Sequence, residues 1–477
     1  MWLFDDRTVP DVRTALPGPN GATLLTRDKL YVSPSYTPVY PLFVERGSGA
    51  VIEDVDGNLF LDFTAGIAVT NTGHCHPEVV AAIKDQSEKL LHMSGTDFYY
   101  RPQIDLAEKL AKVAPGPTPK KVFFCNSGAE ALEGALKLAR WHTKRNRVVA
   151  FFGAFHGRTY GAMSLSGSKL IHRRGFSPLV PDIHHVNFPR EEWAVGSGQW
   201  TEQDRPAACR VKGCGLTTEH CSLPTCKLVA EIEDTIFRRT CPPEEVAAVF
   251  VEPIQGEGGY HPIPKGCMSA LRELCDKHGI LLVVDEVQSG MGRTGKMFAV
   301  EHYGVEPDII CSAKGIASGM PLGAIIAKAD VMDWPPGSHA STFGGNPVAC
   351  RASLATIDLL EREYMANATA RGEQLRAGLR ELAARHPELT HVRGMGLMTA
   401  ADLPTAAHKE SVIQAAFHRG LLLLGCGERA LRFCPPLCVT AAQVETCLRI
   451  LDGVLSAAEP AKPAGPMAPT GGPLPVV

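Results

Sequence analysis

Ile280-Leu-Leu-Val-Val-Asp285 and Asp308-Ile-Ile-Cys-Ser-Ala-Lys314 are the two stretches on which the reading of this chain turns. Each is a short aliphatic run between chain breakers, the pattern of a strand buried on both faces of a parallel sheet. The first ends on an acid, and the second ends on a lysine directly before Gly315. Three further runs end in the same manner: Lys121-Val-Phe-Phe-Cys leads into Asn126-Ser127-Gly128, Val148-Val-Ala-Phe-Phe into Phe155-His156, and Ala247-Ala-Val-Phe-Val into Glu252. Open α/β sheets bind ligands beyond the carboxyl ends of their strands. Five strand ends therefore bring polar or aromatic groups to one rim, where Lys314 and Asp285 meet.

Outward from these strands, residues 102–345 alternate strand runs with helical patterns such as Ala129 to Arg145 and Met268 to His278, which predicts a large α/β domain. Residues 1–101 form an N-terminal segment. Its first ~45 residues are rich in Pro, Gly and Tyr and read as an irregular arm. Val51 to Asp62 then alternates around Asp56-Gly57 as a β-hairpin. Asn346 to Glu363 reads as a linking helix, and Met365 to Ser456 as a smaller C-terminal α+β domain, so that 346–456 form one unit. Residues 189–227 are polar and without periodicity, an insertion in the large domain. Residues 457–477 hold six prolines and are expected to be a disordered tail.

The 477 residues exceed one core and suggest two or three domains. A formal net charge of -3 supplies no basic field for nucleic acid. No apolar run approaches the ~20 residues of a membrane span, and Asp5, Asp6 and Arg7 stand where a signal peptide would be apolar. A cytoplasmic location without membrane contact is expected. Of the 15 cysteines, Cys125, Cys267, Cys275, Cys311 and Cys350 lie in apolar runs and read as reduced core residues. Cys209, Cys214, Cys221 and Cys226 fall as Cys-x4-Cys-x6-Cys-x4-Cys in the insertion. Four thiolates could enclose a zinc, but the pairs are wider than the usual two-residue spacing; reduced loop cysteines or disulfides are the alternatives, and no metal ligand is assigned.

A strand-end lysine that is desolvated can form a Schiff base with an aldehyde. An aspartate beside it can keep a pyridine nitrogen protonated, which makes the ring an electron sink. A bare salt bridge is the alternative for that pair. Asn126-Ser127-Gly128-Ala129-Glu130 is a strand, a small-residue turn and a helix start, the arrangement that binds a phosphate on free amides. Gly290-Met-Gly-Arg-Thr-Gly-Lys-Met297 approaches a nucleotide-binding loop, but Met297 stands where a metal-binding Ser or Thr is required.

Seven motifs in order complete the pattern. They are Gly66-Ile-Ala-Val-Thr-Asn-Thr-Gly-His, Asn126-Ser-Gly-Ala-Glu-Ala, Phe155-His-Gly-Arg-Thr, Glu252-Pro-Ile-Gln-Gly-Glu-Gly-Gly, Asp285-Glu-Val-Gln-Ser-Gly-Met-Gly-Arg-Thr-Gly, Ser312-Ala-Lys-Gly and Ser341-Thr-Phe-Gly-Gly-Asn-Pro. From about Tyr31 to Leu455 the chain resembles the class III aminotransferases among the fold-type I pyridoxal-phosphate enzymes, and most closely their 4-aminobutyrate aminotransferase branch. The resemblance implies a mostly parallel seven-stranded sheet flanked by helices, pyridoxal 5'-phosphate as cofactor, and a homodimer with shared active sites. It implies transfer of an amino group from an ω-amino acid to a 2-oxo acid, 2-oxoglutarate.

Residue by residue, the resemblance makes Lys314 the lysine that carries the cofactor and Asp285 the partner of its ring nitrogen. Ser127, Gly128 and Ala129 hold the phosphate, Phe155 and Val287 pack on the two ring faces, and Gln288 bonds the ring hydroxyl. Thr342 reaches a phosphate in the partner subunit. Arg432, in Leu431-Arg-Phe-Cys-Pro-Pro436, grips the substrate carboxylate, a task suited to a planar guanidinium. Glu257 resembles a glutamate that neutralises this arginine for one substrate and swings aside for the other. Glu252 is expected to buttress Gln288, and His156 to be structural. An amino-acid racemase of the same fold and an acetylornithine- or ornithine-type aminotransferase are the competing activities.

Overall fold

The computed structural model describes residues 2–190 and 223–457. Its centre is a seven-stranded sheet: β1 (Lys120–Cys125), β2 (Arg147–Phe151), β3 (Ile183–Val186), β4 (Val246–Val251), β5 (Leu281–Asp285), β6 (Ile309–Ser312) and β7 (Gly323–Lys328). The spatial order is β1-β7-β6-β5-β4-β2-β3. β5 runs parallel to β4 and β6, and β2 parallel to β4 and β3, while β7 is antiparallel to both β6 and β1. The exception has a simple cause. Only residues 313–322 separate β6 from β7, too few for the crossover that a parallel neighbour demands.

Strand alternation divides the core into two faces. Val148, Ala150, Ile309, Cys311 and Ile325 pack on one side with Ala131, Leu132 and Ala135 of helix α1 (Gly128–Thr143). Val149, Val251, Leu282, Val284 and Ile310 pack on the other with Leu271 and Cys275 of α2 (Cys267–His278). Leu271 is wholly buried, and truncating such a leucine to Ala costs about 2–5 kcal/mol. Cys125, Cys267, Cys275, Cys311 and Cys350 are all buried, as the sequence predicts.

In the N-terminal segment Val51–Asp54 and Leu59–Asp62 form the expected hairpin, and Leu421–Leu422 joins it in parallel. The arm before it is not irregular throughout. Pro19–Tyr31 is a helix, weakly patterned and mostly exposed. Its first turn is held by a distant residue: Asp56 accepts from the amides of Asn20 and Gly21 at 2.9 Å each. That cap lies 35 residues away in sequence, so local reading misses it.

The C-terminal half also departs from expectation at one point. The linking helix α3 (Pro347–Leu359) continues through a wide turn at Leu360–Tyr364 directly into α4 (Met365–Arg385), with no break at residue 364. Beyond it, β8 (Thr390–Met395), β9 (Met398–Asp402), β10 (Leu424–Cys426) and β11 (Ala430–Phe433) form a sheet in the order β8-β9-β11-β10. Helix α5 (Ala441–Ala457) packs on α4.

Leu223–Ala230 is helical and covers the end of the expected insertion. The four-cysteine cluster and the C-terminal tail lie outside the residues whose side chains are described. Among the described residues no group of three or more His, Cys, Asp or Glu is placed to hold a metal ion, and no helix is long and apolar enough to cross a membrane.

Candidate active site

The start of α1 is a capped helix N-terminus at the sheet rim. Ser127 is its N-cap, with Oγ accepting from the Glu130 amide at 3.2 Å. The Glu130 carboxylate reaches back to the Asn126 amide at 2.8 Å and to Asn126 Nδ2 at 3.0 Å. The first-turn amides of a helix have no intrahelical partners, and of these the Glu130 amide is met by the Ser127 cap. Gly128 is required by close approach, since a Cβ there would lie 2.8 Å from Val287 Cγ1.

Asp285 ends β5 opposite Cys311 of β6, so the lysine three residues further on emerges beside it. Between them Ala313 is extended and Lys314 turns left-handed at φ +45°, a conformation that costs a non-glycine residue about 1–2 kcal/mol. Lys314 is half-buried. Burial lowers the pKa of its amine against the opposing pull of Asp285.

Asp285 is 5% exposed, and its two oxygens are both engaged. Oδ2 bonds His156 Nδ1 at 2.7 Å, and Oδ1 accepts from the Val287 amide at 2.9 Å. Burial pulls the His156 pKa down, but the hydrogen bond and charge of Asp285 outweigh it and the pKa is raised. The His156 amide is tied to Ser166 Oγ at 2.8 Å. His156 thus holds the aspartate.

Val251 of β4 pairs with Val284 of β5, which sets Glu252 level with Asp285. Glu252 does not spend its carboxylate on Gln288. It accepts from the backbone amides of Phe155 at 3.3 Å and Gly256 at 3.1 Å, and so joins two rim loops. Burial pushes its pKa up to about 7. Gln288 packs its amide against Gly256, and its Oε1 is buried without a hydrogen-bond partner. Phe155 is half-buried, edge-on to His172 with centroids 5.3 Å apart. Val287 backs Gly128, Ala129 lies against Gly157, and Thr342 is exposed on the loop before α3.

Arg432 enters from the C-terminal sheet, on β11 between Ala400 and Leu424. It is 5% exposed, and its Nε and Nη1 atoms are buried without hydrogen bonds. Glu257 Oε2 lies 3.6 Å from Nη1, and the Tyr260 ring centroid lies 6.0 Å from Cζ. The other oxygen of Glu257 is taken by Lys169 Nζ. Burial alone would raise the pKa of Glu257, but Arg432 and then Lys169 lower it. Nothing in the sequence marks Lys169, which stands in the aperiodic stretch Ser166-Gly-Ser-Lys169.

The rim therefore holds a capped helix start, a lysine of lowered pKa beside a buried aspartate, and a desolvated guanidinium with a carboxylate 3.6 Å away. The family model for class III aminotransferases matches residues 31–455. A 5-aminovalerate aminotransferase from Pseudomonas aeruginosa is 38% identical over 441 residues, 90% of this chain and 97% of that protein. An acetylornithine aminotransferase from Caldanaerobacter subterraneus is 38% identical over 440 residues, 91% and 99%. The crystal structure of an (S)-enantioselective omega-transaminase from Thermomicrobium roseum superposes with a TM-score of 0.79 at 30% identity, covering 94% of this chain and 99% of that one.

The chain belongs to the class III aminotransferases. It is a transaminase that depends on pyridoxal phosphate, on the fold-type I scaffold. The residues fit that group: a glycine-tight helix start for a phosphate, an orphaned Gln288 Oε1 for a ring hydroxyl, and a histidine-backed carboxylate for a ring nitrogen.

Proposed function

We propose that this enzyme transfers the amino group of an ω-amino acid, of the 4-aminobutyrate or 5-aminovalerate kind, to 2-oxoglutarate. The observation that carries the reading is the contact of Arg432 with Glu257 and of Glu257 with Lys169. An arginine that binds the carboxylate next to a reacting carbon is needed for a 2-oxo acid and is a liability for a substrate whose reacting end is an amine alone. A glutamate that can cover or leave the guanidinium lets one pocket serve both. The 5-aminovalerate aminotransferase and the omega-transaminase among the relatives support this donor class.

When bound, pyridoxal phosphate supplies an aldehyde that takes the substrate amine and a ring that draws off electrons as the substrate C–H bond breaks. Ser127, Gly128 and Ala129 would hold its phosphate at the start of α1. Phe155 and Val287 would hold the ring between them, and Gln288 Oε1, which has no hydrogen-bond partner, would accept from its hydroxyl. Asp285, oriented by His156, would keep the ring nitrogen protonated. Lys314 would carry the group at Nζ in the resting enzyme and, as a free amine, would take up the proton from the substrate carbon at the same Nζ. Its lowered pKa keeps more of it neutral for that task.

The active unit in this reading is a cytoplasmic homodimer in which Thr342 completes the partner's phosphate seat. Leu91, Tyr99 and Phe343 are 65%, 96% and 62% exposed on the segments beside Thr342, an apolar face that a second copy would cover.

The deciding experiment incubates single amino acids with and without 2-oxoglutarate and scores aldehyde or keto-acid release together with optical rotation. ω-Amino donors turning over only with the acceptor support the proposal. Racemisation of an α-amino acid without acceptor would replace transamination with the epimerase chemistry the fold also permits.

A further inference from the structure

Arg293, in Met291-Gly-Arg293-Thr-Gly295, is the largest fully buried side chain among the described residues. No carboxylate lies within ion-pair distance of it among those residues. Its fork instead meets three separate segments. Nη2 donates to Asn71 Oδ1 at 2.5 Å, and Nη1 donates to the Leu397 carbonyl at 3.3 Å and to the Pro435 carbonyl. Burying a guanidinium without a counter-ion costs several kcal/mol, and an apolar side chain of similar volume would avoid that cost. Stability therefore does not explain the charge.

The acceptors do. Asn71 is 1% exposed and packs against Gly315, the residue after Lys314, so closely that a Cβ on Gly315 would overlap its amide. Asn71 Nδ2 also donates to the Met291 carbonyl at 2.6 Å, and the Thr72 amide donates to Ser318 Oγ at 3.2 Å in the loop after Lys314. Asn71 is thus a stop for the left-handed turn that aims Lys314. At the other end, Pro435 lies three residues beyond Arg432 on the segment leaving β11, and the Leu437 amide donates to the Asn71 carbonyl at 2.8 Å.

We propose that Arg293 is a positioning residue: it clamps the Lys314 turn, through Asn71, to the Arg432 strand end, through Pro435, and so fixes the spacing between the reacting carbon and the carboxylate beside it. This rests on the reading that Lys314 and Arg432 are the two ends of the site. The spacing matters to a 2-oxo acid, which must touch both. An ω-amino donor also needs the Lys314 turn held, but not its distance from Arg432, which Glu257 covers during that half-reaction.

The test compares the two half-reactions in single turnovers of the holoenzyme carrying Arg293→Lys. A lysine can reach one or two of the three acceptors but lacks the fork that joins all of them. The 2-oxoglutarate half-reaction should slow by about 100-fold, the cost of displacing a reacting group by about 1 Å, and the ω-amino half-reaction by less than about tenfold. The concentration dependence of that half-reaction should show 2-oxoglutarate binding to the aminated enzyme weakened by about tenfold. Equal slowing of both halves, or unchanged binding, would overturn the clamp, since general loosening does not discriminate. If Arg293→Lys does not fold, Asn71→Ala decides, because it leaves Arg293 its two carbonyls and removes only the Lys314 end. Arg432→Ala is the reference and should show the same selectivity. If it does, and the Arg293 and Asn71 variants do not, the clamp alone is wrong. If Arg432→Ala is not selective, the reading of the site falls and the clamp with it.

Discussion

Replacing Glu257 with Gln keeps the shape of the side chain and removes the charge that faces Arg432 at 3.6 Å. With an effective dielectric near 20, Coulomb's law puts that attraction at about 5 kcal/mol as an upper bound. The net value is smaller, because both groups pay desolvation and Lys169 holds the other carboxylate oxygen. A working figure of about 2 kcal/mol lies at the low end of desolvated charge pairs. The guanidinium is then left bare while an ω-amino donor occupies the pocket, and kcat/KM for that donor should fall about 30-fold. An α-amino donor, whose own carboxylate covers Arg432, should change by less than about threefold. The assay is single-turnover loss of the visible absorbance of the bound cofactor with each donor, at matched folded fraction. Lys169→Met provides the opposite sign: freed from Lys169, Glu257 pairs more strongly with Arg432, and the KM for 2-oxoglutarate should rise while the ω-amino half-reaction is spared. Equal losses for the two donor types in Glu257→Gln would refute the switch.

Lys314→Ala should abolish turnover and the visible absorbance of lysine-bound cofactor, and a borohydride-reducible adduct on another lysine would contradict the assignment. Asp285→Asn should fold normally but bind cofactor weakly and turn over slowly, because an amide cannot keep a pyridine nitrogen protonated; near-normal turnover would mean that a different acid serves. His156→Ala strands the buried Asp285 carboxylate, so both unfolding free energy, by about 3 kcal/mol, and cofactor affinity should drop, with His156→Asn recovering part of each; loss of stability without loss of affinity would limit His156 to packing. Glu286 is fully buried, bonded to Ser289 Oγ at 2.5 Å and to the Val300 amide at 2.7 Å, and burial raises its pKa from 4.5 to about 7. The folded protein then holds more protons than the unfolded chain between those values, so this group lowers stability as pH rises through that window, by at most about 3 kcal/mol. Glu286→Gln should therefore gain stability relative to the parent from pH 5 to pH 8 in denaturant titrations, and parallel pH profiles would contradict it.

What could be read without coordinates follows from local rules. Aliphatic runs ending at Asp285, Glu252 and Asn126 are strands because both their faces need burial, and their polar last residues must then emerge at one rim. Ser127-Gly128-Ala129 is a helix start because a serine cap and small residues are a short-range signal. Lys314 and Asp285 could be paired from their places at the ends of two similar runs. Only the folded chain decided the rest. The Pro19–Tyr31 helix depends on a cap from Asp56. Glu252 turns to the amides of Phe155 and Gly256 because Phe155 follows a different strand that lies alongside in the sheet. Lys169 meets Glu257 across 88 residues, and Arg293 gathers Asn71, Leu397 and Pro435 from three loops. Loops have no period, so their partners cannot be counted off along the chain; hydrogen-bond acceptors are matched to a buried charge only after packing has excluded water from around it.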